Sequence, residues 1–202
     1  VADAPSVEDA APAGDMLAGV PEEPVDLTPL HAVEAQIRIR LGGIKASGFA
    51  AGPIDFALGL HQGILTANLQ ELGLYGGGVS AQVVLRDAGE ALDLSGQVRF
   101  DGIALGELAM AATGEVALTA TASGSVQGQA TGANPRALVE SLIANLTVGL
   151  RDVELPGAPI GPIPEIDVKL SVPGLSYGPV LDASILYNGE RTTIAAMLPP
   201  LD

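Results

Sequence analysis

Aliphatic and polar residues alternate with a period of two through most of this chain. Residues 33 to 41 read Val-Glu-Ala-Gln-Ile-Arg-Ile-Arg-Leu, which sends Val33, Ala35, Ile37, Ile39 and Leu41 to one side and Glu34, Gln36, Arg38 and Arg40 to the other. That is the mark of a strand with one dry and one wet face. The pattern returns at Ile54, Phe56, Leu58 and Leu60; at Val79, Ala81, Val83 and Leu85; at Leu92, Leu94, Val98 and Phe100; at Val116, Leu118, Ala120 and Ala122; and at Ile166, Val168, Leu170 and Val172. Turn chemistry separates the runs at His61-Gln62-Gly63, Asp87-Ala88-Gly89, Asp101-Gly102 and Asn188-Gly189. Asn188-Gly189 is the strongest of these, since a type I′ turn needs positive φ at both central residues, and it predicts a C-terminal hairpin. Short strands, Gly-containing turns and little helix predict a mainly β fold, a curled, largely antiparallel sheet.

Three local departures refine this expectation. Leu65, Ala67 and Leu69 point one way, but Leu72 and Leu74 continue in the opposite phase, so a bulge is expected near Gln70 and Glu71, where one extra residue resets the face and increases twist. Asn134 can cap a helix, Pro135 suits its first position, and Leu138, Val139, Leu142 and Ile143 follow at helical spacing, which predicts one short helix near 134–144 closing one end of the sheet. A shorter helical turn around Leu105 to Ala111 is a weaker candidate. Pro156, Pro159, Pro162 and Pro164 remove ladder donors, so 153–164 reads as an extended crossing loop with strands resuming at Ile166. The pattern leaves open whether 165–202 completes the same sheet or starts another layer.

Charge is strongly one-sided. The 202 residues hold 24 acidic against 9 basic side chains, a net charge of -15. Nucleic acid is thereby disfavoured as a partner, because phosphate binding needs clustered Lys and Arg, and so is charge-driven docking on anionic lipid. Asp3, Glu8, Asp9, Asp15, Glu22, Glu23 and Asp26 fall in a stretch with no Lys or Arg. Residues 1–26 are therefore expected to be an acidic, Pro/Ala-rich flexible leader that buries too little to become ordered, and 27–202 to be a single β domain. Hydrophobic residues reach 48% with only 16% charged, below the roughly 25% typical of soluble domains. No apolar run is long enough to cross a bilayer as a helix, so the surplus apolarity is spread over strands.

Reactive chemistry is sparse. The chain has no cysteine, hence no disulfide, thiol nucleophile or zinc ribbon. His31 and His61 are the only histidines and belong to no metal or hydrolase motif; both are expected to be ordinary surface residues. Glu22-Glu23 and Asp152 with Glu154 read as solvated charge, and Gly76-Gly77-Gly78 as a tight bulged turn, since the Lys-Ser/Thr of a phosphate loop does not follow. Asn145-Leu146-Thr147 fits a glycosylation acceptor by chance inside a strand. No enzymatic activity, metal or cofactor is expected.

Two groups of residues resemble a known family. Pro24-Val25-Asp26-Leu27 with Leu30, the strand from Ala35 to Leu41, and Gly63 leading through Leu69 to Leu74-Tyr75-Gly76-Gly77 are similar to the C-terminal region of the AsmA family of bacterial envelope proteins. The likeness continues at Gly128, Gly132-Ala133-Asn134-Pro135 and Ser141-Leu142, and covers roughly 24–155; Ala144 stands where the family usually has Gly, and Leu155-Pro156-Gly157 replaces a further family motif. The resemblance implies a non-enzymatic periplasmic protein, tethered to the inner membrane by an N-terminal helix that this sequence does not contain, and active in outer-membrane biogenesis by moving phospholipid between the two membranes along an apolar β groove. Ile37, Ile39, Phe56, Leu58, Leu69, Val83, Leu94 and Val98 are then the expected contacts for lipid acyl chains. The competing expectation is a structural module that assists outer-membrane protein assembly through an exposed sheet edge, an edge also open to self-association of the chain.

Overall fold

The alternating runs pair with one another in the order in which they occur. The computed structural model describes residues 20–24, 31–46, 49–89, 91–157, 161–174 and 177–199. Its strands are β1 (Ala35–Leu41), β2 (Ile44–Ala46), β3 (Phe49–His61), β4 (Ile64–Leu74), β5 (Gly77–Asp87), β6 (Leu92–Ala104), β7 (Thr119–Gly132), β8 (Ile143–Glu154), β9 (Ile163–Val172), β10 (Val180–Tyr187) and β11 (Glu190–Met197). The path β1-β3-β4-β5-β6-β7-β8-β9-β10-β11 forms one antiparallel sheet, with β2 also pairing β3. Its two ends do not meet, so the sheet is open. β9 to β11 extend this sheet, which answers what 165–202 does. Most of the predicted leader, and the Val25-Asp26-Leu27 stretch with Leu30, lie outside the described residues. Within 20–24, Glu22 pairs with Arg136 at 2.8 Å and the Pro21 carbonyl accepts the Arg136 N–H.

Tight turns set the hairpins. Gln62-Gly63, Tyr75-Gly76 and Asn188-Gly189 each place two successive residues at positive φ, the geometry that matches the twist of flanking strands. Asp101-Gly102 does not turn the chain. It lies inside β6, where Gly102 at φ 70 takes up a register shift between Phe100 and Ile103. Ser123 Oγ steadies the irregularity, accepting from the Gly102 N–H and donating to Asp101. A left-handed residue serves a bulge as readily as a turn, which is why the sequence signal was ambiguous.

The expected bulge in β4 is present. Phe56 opposes Leu69 and Asp55 opposes Glu71, leaving Gln70 unpaired; on the other side Leu69 opposes Ala81 and Leu72 opposes Val79. The extra residue returns Leu72 and Leu74 to the apolar face. Pro164 is a correction to the loop assignment, since it lies within β9. Arg151 opposes Glu165 and Val153 opposes Ile163, so Pro164 faces Asp152, which sits at φ 51 within the register shift between β7 and β8 and is not among the paired positions of the β8–β9 ladder.

Two helices lie wholly within the described residues: the one expected after Asn134, and one at the weaker candidate beginning at Leu105. α1 (Leu105–Thr113) packs against β6 and β7 and ends at Gly114 in the left-handed conformation. α2 (Pro135–Glu140) packs against β7 and is capped by Asn134, whose side chain accepts the Ala137 N–H at 2.8 Å. It stops short of the predicted 134–144 because Ser141 caps its end and Ile143 opens β8.

Candidate functional site

Buried apolar residues are few and lie near strand ends. Among the described residues they are Ala51, Leu92, Ile103, Ala120, Ala122, Ala130 and Val153, and no side chain is completely enclosed. Strand middles carry the larger aliphatic groups, which stay half-buried or exposed on one face of the sheet.

The pairing registers keep that face continuous. Ile39 lies opposite Phe56, Phe56 opposite Leu69, Leu69 opposite Ala81, Ala81 opposite Val98, and Val98 opposite Val126. Beyond Val126 come Leu146, Leu170, Leu181 and Ala196. Directly opposed residues in an antiparallel ladder share a face, so this apolar row crosses every strand of the path from β1 to β11. A second row runs beside it through Ile37, Leu58, Ala67, Val83, Gly96, Gly128 and Ala144. All eight expected contact residues, Ile37, Ile39, Phe56, Leu58, Leu69, Val83, Leu94 and Val98, therefore fall on one surface. Ile37 is 50% and Val83 39% exposed, while Phe56, Leu58, Leu69, Leu94 and Val98 are half-buried. The continuation over β7 to β10, with Val126, Leu146, Leu170 and Leu181, was not among the expected contacts, although alternation alone marks Leu146 and Leu170 as dry-facing.

The opposite face is polar in an equally regular way. Asn68, Gln82, Gln97, Gln127, Asn145 and Ser171 form a row of directly paired neutral side chains. A depression of about 390 Å³ is lined by Gln82, Gln97, Gln127, Gln129 and Asn145 on that side. Charges also sit there. Arg38 holds Asp55 with two bonds, Nε to Oδ1 at 2.9 Å and a second at 2.7 Å, while donating to Gln70, the bulged residue. That pairing, with Arg40 adding a weaker contact, lowers the Asp55 pKa. Glu165 is held down to about 2 by Asp167, Arg151 and Arg191. Each histidine has an acidic neighbour at the surface, His31 with Asp87 at 2.7 Å and His61 with Glu34 at 3.0 Å.

No group of His, Cys, Asp and Glu able to hold a metal ion occurs among the described residues. A larger cavity, about 970 Å³, opens between α1 and the strand ends around Tyr75, Met110, Val116 and Asp152. The expected contact residues line neither cavity; their face is an open surface. In comparison with known proteins, the chain matches no family model, no curated protein and no solved structure.

Proposed function

We propose that the chain is a non-enzymatic module of an AsmA-like bacterial envelope protein, in which the apolar face of the sheet shields phospholipid acyl chains passing between the inner and outer membranes. One observation carries the reading. An apolar row spans the whole strand path while the buried residues are confined to strand ends, so the aliphatic side chains of the strand middles exceed what the fold encloses. A contiguous apolar surface of that kind in a soluble protein ordinarily meets a partner or a lipid.

The physical scale fits. The strands of the path hold seven to fourteen residues, about 23–46 Å at about 3.3 Å per residue, a range that brackets the roughly 30 Å hydrocarbon core of a bilayer. A 16-carbon chain removed from water is stabilised by about 13 kcal/mol at about 0.8 kcal/mol per CH₂. Moving between equally apolar rows costs little, which suits sliding along the face. The resemblance of 24–155 to the AsmA C-terminal region supports a periplasmic setting, inner-membrane tethering and a role in outer-membrane biogenesis. No helix among the described residues is long and apolar enough to cross a membrane, so the tether would lie elsewhere in the protein.

The reading is tested by native mass spectrometry of the chain purified from bacterial membranes, followed by transfer of fluorescent phospholipid between donor and acceptor vesicles. Bound phospholipid and accelerated transfer are expected; a lipid-free chain that leaves transfer at its spontaneous rate overturns it. The exposed β11 edge favours a second reading, an interaction module that receives a strand of an outer-membrane protein. Cross-linking to an unfolded porin with no lipid bound would favour that reading.

A further inference from the structure

We propose that two copies of the chain join edge to edge through β11, antiparallel about a two-fold axis that passes by Ile194. The proposal is independent of lipid binding and rests on the backbone. Tyr187 and Glu190 flank the two-residue Asn188-Gly189 turn, and hydrogen-bonded and non-bonded pairs alternate from there. Glu190, Thr192, Ile194 and Ala196 therefore bond to β10. Leu198 continues this inward series and donates to the Pro179 carbonyl at 2.8 Å. Arg191, Thr193, Ala195 and Met197 direct their N–H and C=O groups away from the sheet, where nothing among the described residues pairs with them.

Exposed edges are usually blunted by Pro, Lys, bulges or breaks. β1 is short, carries Arg38 and Arg40, and breaks at Gly42-Gly43 before β2. β11 reads Glu-Arg-Thr-Thr-Ile-Ala-Ala-Met with no Pro, Lys or Gly, and Ile194 and Met197 are 52% and 78% exposed. One register satisfies every outward group. With Ile194 opposite its counterpart, Thr193 meets the second copy's Ala195 and Arg191 meets its Met197; centring on Thr193 instead would leave Met197 unpaired. The chosen register opposes no like charges, and on the apolar side it sets Ile194 against Ile194 and Thr192 against Ala196, so the dry face runs on from one copy into the next. Two-fold pairing of identical surfaces is also the commonest form of assembly.

Sedimentation velocity should give twice the 20.3 kDa chain mass. Thr193→Pro removes an outward donor without touching the β10 pairing and is expected to give monomer. Because the chain has no cysteine, Ile194→Cys reports on the axis directly. Mild oxidation should link two copies, as the opposed Cα atoms fall within disulfide range, whereas Thr192→Cys should stay unlinked, its counterparts being about 13 Å apart along the strand. A monomer at every concentration, a folded Thr193→Pro dimer, or equal linking at 192 and 194 overturns the proposal.

Discussion

Phe100 lies across Gly124. The two are directly paired on β6 and β7, and a Cβ at Gly124 would sit 2.7 Å from Phe100 Cζ and against the Thr147 carbonyl oxygen of β8. The ring occupies the room left by the missing side chain, covering backbone that would otherwise face water on the apolar side. Only three phenylalanines occur in the chain, and this one has Val79 as its partner on β5 but no side chain opposite it on β7.

Gly124→Val should therefore destabilise the protein by about 1–3 kcal/mol, the usual cost of forcing extra carbons into an occupied site. The Thr147 oxygen is backbone and cannot swing away as a side chain would. Guanidinium unfolding of both proteins measures the difference; an unchanged midpoint would mean that the Phe100 ring yields freely.

Face, and not strand, should decide lipid retention. Leu58→Asp and Val83→Asp place a charge on the apolar surface and should lower the lipid recovered with the protein. Gln82→Asp changes the adjacent residue on the opposite face and should leave recovery unchanged. Mass spectrometry of the three purified variants reads the contrast, and equal lipid content in all three would count against the apolar face as the lipid surface.

Glu165 makes stability fall in strong acid. Asp167, Arg151 and Arg191 depress its pKa from 4.5 to about 2. Its contribution is thus complete above its unfolded value and disappears as pH drops from about 4.5 towards about 2. Glu165→Gln should show a shallower loss over that interval than the parent in unfolding curves taken from pH 5 to pH 2. Parallel curves would mean that β8, β9 and β11 are not joined through this carboxylate.

Asn134→Ala should cost about 1 kcal/mol by leaving the Ala137 N–H without its cap. Thermal unfolding detects a loss of this size. Asn134→Ser, which retains an oxygen acceptor, should recover most of it.

Much of the sheet was legible because alternation records which face is dry, and that depends only on neighbours along the chain. The bulge at Gln70 was legible for the same reason, since Leu69 and Leu72 cannot share a face without an extra residue between them. α2 announced its start with Asn134-Pro135, but not its end, because Leu142 and Ile143 suit a helix face as well as the opening of β8. α1 was faint because its N-cap, Ala104, makes no side-chain bond and none of its residues is buried. Pro164 misled because its place in β9 depends on the bulge at Asp152, a partner met only in space. The candidate surface shared this limit. Each residue's side of its strand could be read, but the single row from Ile39 to Ala196 needed the registers, which depend on turns and bulges acting together.

A strand order that simply follows the chain makes reach a matter of counting. Adjacent strands stand about 4.8 Å apart, so the path from β1 to β11 covers about 43 Å across its ladders. Every hairpin added or removed at a turn would change that distance by about 9.6 Å without rerouting any other connection. Duplicating or deleting hairpins would therefore widen or narrow the sheet stepwise, much as a fence is lengthened by adding pickets.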